Sequence, residues 1–255
     1  FLRKHNALDL TAEGETLLKA VTSGLDTLAD AAMRVGQAAD DRTITCAGTN
    51  AAIAYWLRPA AAEFRRQYPD TRFVLLASDE NQTLANFDEV DLALLCGNDR
   101  YTFGDNILPV FPEVVEPACS PVYRDRLQLS DDPQDLLRAD LLELHKMHWT
   151  SEAISWHPLS WADWFAEHLP EAQVQTPILS SNNYGTLMEA AIAGEGVILG
   201  WRHLASGALE NGSLIKLSNH SLATGRQYYL RAHPDREAST RVSTFINFLM
   251  KQKVF

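Results

Sequence analysis

From Thr43 onward, short apolar runs alternate with helix-period segments almost to the end of the chain, and this alternation constrains the fold more than any other feature. Strand candidates are 43–47, 72–76, 91–95, 106–111, 114–119, 141–145, 176–179, 196–200, 213–217 and 226–231. Helix candidates fall between them, at 51–67, 81–87, 121–126, 133–138, 159–168, 184–193, 202–210 and 237–252. Strands separated by helices predict an α/β fold with parallel sheets and helices on both faces. No internal repeat or low-complexity tract competes with that reading.

Before Thr43 the period is different. Thr11 reads as the N-cap of a helix, with Glu13 in the first turn, where the helix dipole favours an acid. Leu17, Val21, Leu25, Leu28, Ala32 and Val35 then recur at steps of four or three. That spacing draws one apolar stripe along a helix of about seven turns. Such a stripe either packs on its own domain or pairs with another subunit. Ala38-Ala39-Asp40-Asp41-Arg42 reads as a polar hinge that separates the helix from the body, which favours pairing between subunits.

A chain of 255 residues with 46% hydrophobic and 22% charged residues has the composition of a folded protein with a sizeable core. Its net charge of -11 repels phosphate backbones, so any DNA contact needs a local basic element, and Arg3-Lys4-His5 is the candidate. Cys46, Cys96 and Cys119 are scattered through apolar runs, which predicts reduced, buried thiols and a cytoplasmic protein. No apolar stretch reaches the roughly 18 residues of a membrane span, and no signal-peptide pattern is visible. The chain opens at Phe1 in the middle of a pattern, so further N-terminal sequence is expected.

Enzyme signatures are absent from the sequence. There is no Gly-x-Ser-x-Gly elbow, no phosphate-binding loop and no Gly-x-Gly-x-x-Gly turn. His145 and His148 have half of a metal-site spacing, but the acidic and third ligands are missing, so neither metal nor cofactor is expected. Cys119 has no base partner in the sequence.

Several ordered segments resemble the LysR-type transcriptional regulators across nearly the whole chain. Phe1-Leu2-Arg3-Lys4 and Leu8-Asp9-Leu10-Thr11-Ala12-Glu13-Gly14-Glu15-Thr16-Leu17-Leu18 look like the end of that family's winged helix-turn-helix and the start of its linker helix. Tyr55-Trp56-Leu57-Arg58-Pro59 with Phe64 and Tyr68-Pro69 is similar to its first sensor-domain helix. Val90-Asp91-Leu92-Ala93-Leu94 with Gly97, Cys119-Ser120-Pro121, and the run Ala190 to Trp201 complete the pattern. Asn183-Tyr184 and Gly200-Trp201 resemble the glycine-cleavage-activator branch. Tyr55-Trp56-Leu57, Trp161-Ala162-Asp163-Trp164-Phe165 and Gly200-Trp201-Arg202 resemble the choline-sulfate-utilisation regulators.

The resemblance implies two Rossmann-like lobes around a central cleft, of the type 2 periplasmic-binding-protein-like kind, preceded by a long dimerisation helix. Residues 1–10 would be the wing remnant, 11–41 the linker helix and hinge, and 42–255 the effector-binding domain. Lobe I would comprise 43–112 and 227–255, and lobe II 117–223, with crossovers near 112–117 and 222–227. The implied function is effector sensing by a non-enzymatic DNA-binding regulator that forms a homodimer or a dimer of dimers. The recognition helix would precede Phe1, so DNA binding belongs to the complete protein, and this chain offers at most Arg3 and Lys4. A periplasmic solute-binding protein for a small polar ligand shares the fold and is the alternative.

Ligands of such sheets bind beyond the carboxyl ends of strands, beside helix N-termini. Those positions hold Thr49, Asn50 and Ala51 after the first strand, Ser78 with Asp79 and Glu80 after the second, and Asp99 after the third. In the second lobe they hold His145, Trp149, Asn183, Tyr184 and Trp201. Thr49 or Asn50 either caps the helix, contacts a ligand or does both, and Trp149 is a cleft wall or part of a satellite cluster. Trp161, Trp164 and Phe165 lie at helical spacing and read as core. If Trp149, Tyr184 and Trp201 surround a ligand near Asp99, the site suits a quaternary ammonium group, at roughly 0.5–2 kcal/mol per good ring contact. An amino acid, with its carboxylate at Thr49 and Asn50, explains the same residues.

Overall fold

The computed structural model describes residues 2–4, 7–18, 20–22, 24–25, 42–79, 90–97, 107–146, 157–234 and 239–251. They form two compact units, Phe1–Asp41 and Arg42–Phe255.

In the first unit, β1 (Leu2–Lys4) pairs antiparallel with β2 (Ala7–Asp9), so that Arg3 lies opposite Leu8. A helix follows, α1, described at 12–18, 20–22 and 24–25. Thr11 caps it as expected: its hydroxyl accepts from the Gly14 N–H at 3.1 Å. Leu17, Val21 and Leu25 are 65%, 48% and 60% exposed, whereas Leu28, Ala32 and Val35 lie outside the described residues.

The second unit is built on one mixed sheet. Its strands are β3 (Thr43–Gly48), β4 (Arg72–Ala77), β5 (Leu92–Gly97), β6 (Ile107–Cys119), β7 (Leu141–Leu144), β8 (Leu179–Ser181), β9 (Val197–Trp201), β10 (Ile215–Lys216) and β11 (Leu222–Ala232). They lie in the order β4-β3-β5-β11-β6-β9-β7-β8, with β10 paired to β6. At one end β3 runs parallel to β4 and β5, and at the other β7 runs parallel to β8 and β9. Between these parallel sets stand β6 and β11, antiparallel to each other and to their outer neighbours β9 and β5.

Sequence gives β6 as two runs, 106–111 and 114–119, with Pro112-Glu113 between them. The structure instead draws one strand of 13 residues. The pairing with β11 shifts register twice: between Ala223 and Gln227 the extra residues lie on β11, and between Tyr228 and Tyr229 the extra residue lies on β6, beside Pro109. The segment expected at 176–179 forms its strand later, at Leu179–Ser181, and 133–138 is a 3-10 rather than an α-helix. The helix expected at 81–87 lies outside the described residues.

Helix α2 begins at Asn50–Ala52, widens into a π stretch at Ile53–Leu57 and returns to α at Arg58–Gln67. Pro59 explains the widening locally. In π geometry its missing N–H would have bonded the Ala54 carbonyl, and the Arg58 Nε donates to that carbonyl instead, at 3.2 Å. The remaining helices are α3 (Pro121–Leu127), α4 (Trp161–His168), α5 (Tyr184–Ala193), α6 (Arg202–Glu210) and α7 (Thr240–Lys251). Local signals set several of their ends. Ser160 and Asp163 form a capping box on α4, and Gly194 closes α5 with a φ of 83°.

The core follows the strand faces. Trp161, Trp164 and Phe165 are buried as their helical spacing predicts, and β9 is buried along its whole length. Cys46 and Cys119 are buried and Cys96 is half-buried, and none of the three is in a disulfide. Burial pushes the Cys119 thiol up to about 12 and raises that of Cys46 further, so neither is a ready nucleophile.

Candidate functional site

The carboxyl ends of the parallel strands place the candidate residues. After β3, the Thr49 hydroxyl accepts from the Ala52 N–H at 3.1 Å and so caps α2. Asn50 is held by Asp79 after β4: its backbone N–H donates to Asp79 Oδ1 at 2.9 Å and its side-chain amide to Oδ2 at 2.7 Å. Ala51 is buried inside the same first turn, and Ser78 donates its N–H to Gly48 O at 3.1 Å. The donors at the start of α2 therefore already face a carboxylate supplied by the chain itself. A second anion placed there would be repelled by Asp79, whereas a cation would be attracted.

In the second parallel set, Asn183 follows β8 and caps α5, its Oδ1 accepting from Gly185 N–H at 2.8 Å and Thr186 N–H at 3.4 Å. Tyr184 begins that helix and is only 4% exposed. Its hydroxyl donates to Leu199 O at 3.3 Å, and its ring stands edge-on to Trp201 with centroids 5.3 Å apart. Burial raises the Tyr184 phenol, which stays protonated as a donor. His145 is exposed just past β7, where its N–H donates to Ser181 O at 2.8 Å. Asp99 and Trp149 lie outside the described residues, as do Glu80 and the second histidine, His148.

The two sets meet through a residue that sequence reasoning did not single out for the site. Tyr55, on the π stretch of α2, stands edge-on to Tyr184 at 6.4 Å, and a Cβ at Gly185 would lie 3.5 Å from its hydroxyl. Tyr55, Tyr184 and Trp201 thus form a continuous line of rings from one half of the sheet to the other. Burial, followed by the nearby Glu189, raises the Tyr55 phenol. Tyr55 was visible only as part of a family-like run, since helical spacing alone does not tell a cleft residue from a core one.

Trp201 also leads away from this line into the centre of the sheet. Its indole N–H donates at 2.8 Å to Glu113 on β6, a carboxylate with no exposure. Arg226 on β11 donates its Nε to the other Glu113 oxygen at 2.5 Å, and Thr224 adds a bond at 3.2 Å. The Arg226 Nη1 also reaches His157 O at 2.9 Å. Three residues along β6, Glu116 binds Arg202 and Lys216 at 2.6 and 2.8 Å. Burial opposes its ionisation, but these two cations together hold its carboxyl below the usual range. Among the described residues, no group of three or more histidine, cysteine or acidic side chains could hold a metal ion.

The LysR substrate binding domain profile covers residues 37–253. The chain belongs to this family. Among its relatives, the HTH-type transcriptional regulator DsdC of Escherichia coli (strain K12) is 26% identical over 263 residues, covering 99% of this chain and 79% of that protein. The glycine cleavage system transcriptional activator of the same strain is 24% identical over 255 residues, covering 98% and 78%. The effector domain of the transcriptional regulator AmpR of Pseudomonas aeruginosa superposes with a TM-score of 0.58 at 19% identity, over 82% of this chain and 94% of that one.

This LysR chain therefore carries an effector-binding domain with the α/β, periplasmic-binding-protein-like fold. Its relatives regulate transcription and are not enzymes, which agrees with the missing catalytic signatures and sets aside the solute-binding alternative. LysR regulators bind DNA and small-molecule effectors and form oligomers. No helix among the described residues is long and apolar enough to cross a membrane.

Proposed function

We propose that this domain senses a small polar effector carrying a positive charge, bound between a first lobe of 43–112 with 227–255 and a second lobe of 117–223. One observation carries the charge assignment: Asp79 takes both donors of Asn50 at the start of α2. A bound carboxylate there would have to displace Asp79, whereas a cationic effector gains from its charge, and an ammonium group that reaches the line of Tyr55, Tyr184 and Trp201 gains from the rings. The effector is a quaternary ammonium compound or the amine of an amino acid. Thr49, Ser78 and Asn183 supply the polar rim, His145 borders the same strand ends, and Asp99 and Trp149 are further effector contacts in this reading.

In the complete protein, effector binding shifts the balance between two lobe arrangements and so repositions α1 in a homodimer or dimer of dimers. A ligand moves that balance only by its difference in affinity for the two arrangements. Such a regulator acts in the cytoplasm and reads DNA through a winged helix-turn-helix, with Arg3 and Lys4 at its wing.

A thermal-shift screen with choline, choline sulfate, glycine betaine, glycine and the other amino acids tests the ligand class. At about a hundred times the dissociation constant, binding adds about 2.7 kcal/mol, a rise in Tm of several degrees. Stabilisation by a cationic or zwitterionic compound, lost in Asp79→Asn and Trp201→Ala, is the expected result. Stabilisation by anions alone would refute the charge assignment. An operator footprint of the full-length protein unchanged by a bound effector would refute the coupling.

A further inference from the structure

At the carboxyl ends of β7 and β9 the second half of the sheet encloses a cavity of about 10 Å3, room for one water-sized group. Trp161, Tyr184 and Trp201 wall it together with Leu142 and Leu199, and Glu143 supplies its charged side chain. The polar tips of all three rings are tied elsewhere. Trp161 Nε1 donates to Leu142 O at 2.9 Å, the Tyr184 hydroxyl to Leu199 O at 3.3 Å, and Trp201 Nε1 to Glu113 at 2.8 Å. What remains for an occupant is electron-rich ring carbon and a carboxylate. Glu143 Oε2 accepts from the Trp161 N–H at 3.0 Å, and its Oε1 accepts no hydrogen bond among the described residues.

We propose that this cavity seats a primary ammonium group of the effector, with Glu143 as its counter-charge. The assignment deepens the cationic reading given above and rests on it. Size separates the two effector classes. An –NH3+ group is about as large as a water molecule and brings donors for Glu143 Oε1. A trimethylammonium group is several times larger. It would have to displace Tyr184 or Trp201, which are 4% and 2% exposed in a close-packed interior. The rings then contribute by cation–π attraction in a site shielded from water.

Matched pairs test this, because ethanolamine and choline, like glycine and glycine betaine, differ only in methylation of the nitrogen. Calorimetric titration of the 255-residue chain with each is the measurement. At least one primary amine is expected to bind about tenfold or more tightly than its trimethyl counterpart. Glu143→Gln keeps an oxygen for the Trp161 N–H and removes only the charge, so it should weaken that amine by about tenfold or more while leaving the circular dichroism spectrum unchanged. Equal or tighter binding of the trimethyl compounds, or unchanged binding in Glu143→Gln, overturns the cavity assignment and leaves the cationic reading standing. Binding by no member of either pair also overturns it, and the cationic reading then stands or falls on the wider screen.

Discussion

Trp201 and Glu113 are 88 residues apart in sequence and joined by a 2.8 Å hydrogen bond in the middle of the sheet. Through it the aromatic line of the candidate site is tied to the ion pair between the two long central strands. Glu113 has no exposure and Arg226 little, so each charge depends on the other. Glu113→Gln should therefore cost about 3–5 kcal/mol, because the Arg226 guanidinium loses its carboxylate inside the core. Urea denaturation checks this. Replacing both residues by apolar ones of similar size should recover most of the loss, and no recovery would mean that the pair itself is indispensable.

His203 makes stability depend on pH. It is 1% exposed, with its ring 4.6 Å from Phe111 and 4.2 Å from Tyr228, and burial lowers its pKa from 6.5 to about 3. The unfolded chain binds this proton below its ordinary pKa while the folded chain refuses it. The contribution is therefore complete above pH 6.5 and falls away as the pH drops toward 3. Between about pH 6 and 5 the slope from this residue should approach 1.4 kcal/mol per unit. His203→Phe should flatten that part of a urea-midpoint profile, and an unchanged slope would assign it to other groups.

Gly196→Ala should be among the most damaging single changes. A Cβ there would overlap the Asp140 carbonyl oxygen, which is backbone and which also accepts the Val197 N–H at 2.8 Å. Overpacking against a fixed ladder should cost about 1–3 kcal/mol. Gly194→Ala should cost about 1 kcal/mol, mainly from the φ of 83°, since the Ser120 Oγ 3.3 Å from the added Cβ needs to give only slightly. Thermal unfolding of the two variants ranks them, and a larger loss at Gly194 would contradict the steric argument.

Val21→Asp should lower the oligomeric mass in light scattering. Leu17, Val21 and Leu25 are exposed along α1, and a charge in the middle of such a stripe disfavours its burial against a second subunit. An unchanged mass would move the subunit contact elsewhere.

Asn183→Ala should cost about 1 kcal/mol, because two N–H groups at the start of α5 lose their acceptor. Thermal unfolding reads the loss. Asn183→Asp should retain most of the stability, since it keeps the accepting oxygen.

The residues that local chemistry governs were legible in the chain itself. Thr11 was readable as a cap and Thr49 as one of two candidates, and Tyr184–Ala193 and Arg202–Glu210 match the expected helices residue for residue. Caps, proline and apolar period act within a few residues, so sequence alone determined these elements and the α/β class they imply. Tertiary structure decided the rest. It set Asp79 against Asn50 across 29 residues and Arg226 against Glu113 across 113, and it brought Tyr55 to Tyr184. It also carried β6 through Pro112, with one register shift taken up on β11 and a second on β6 itself. Pairings of this kind leave no period in the sequence, because what fixes them is strand order and the need of each buried charge for a partner.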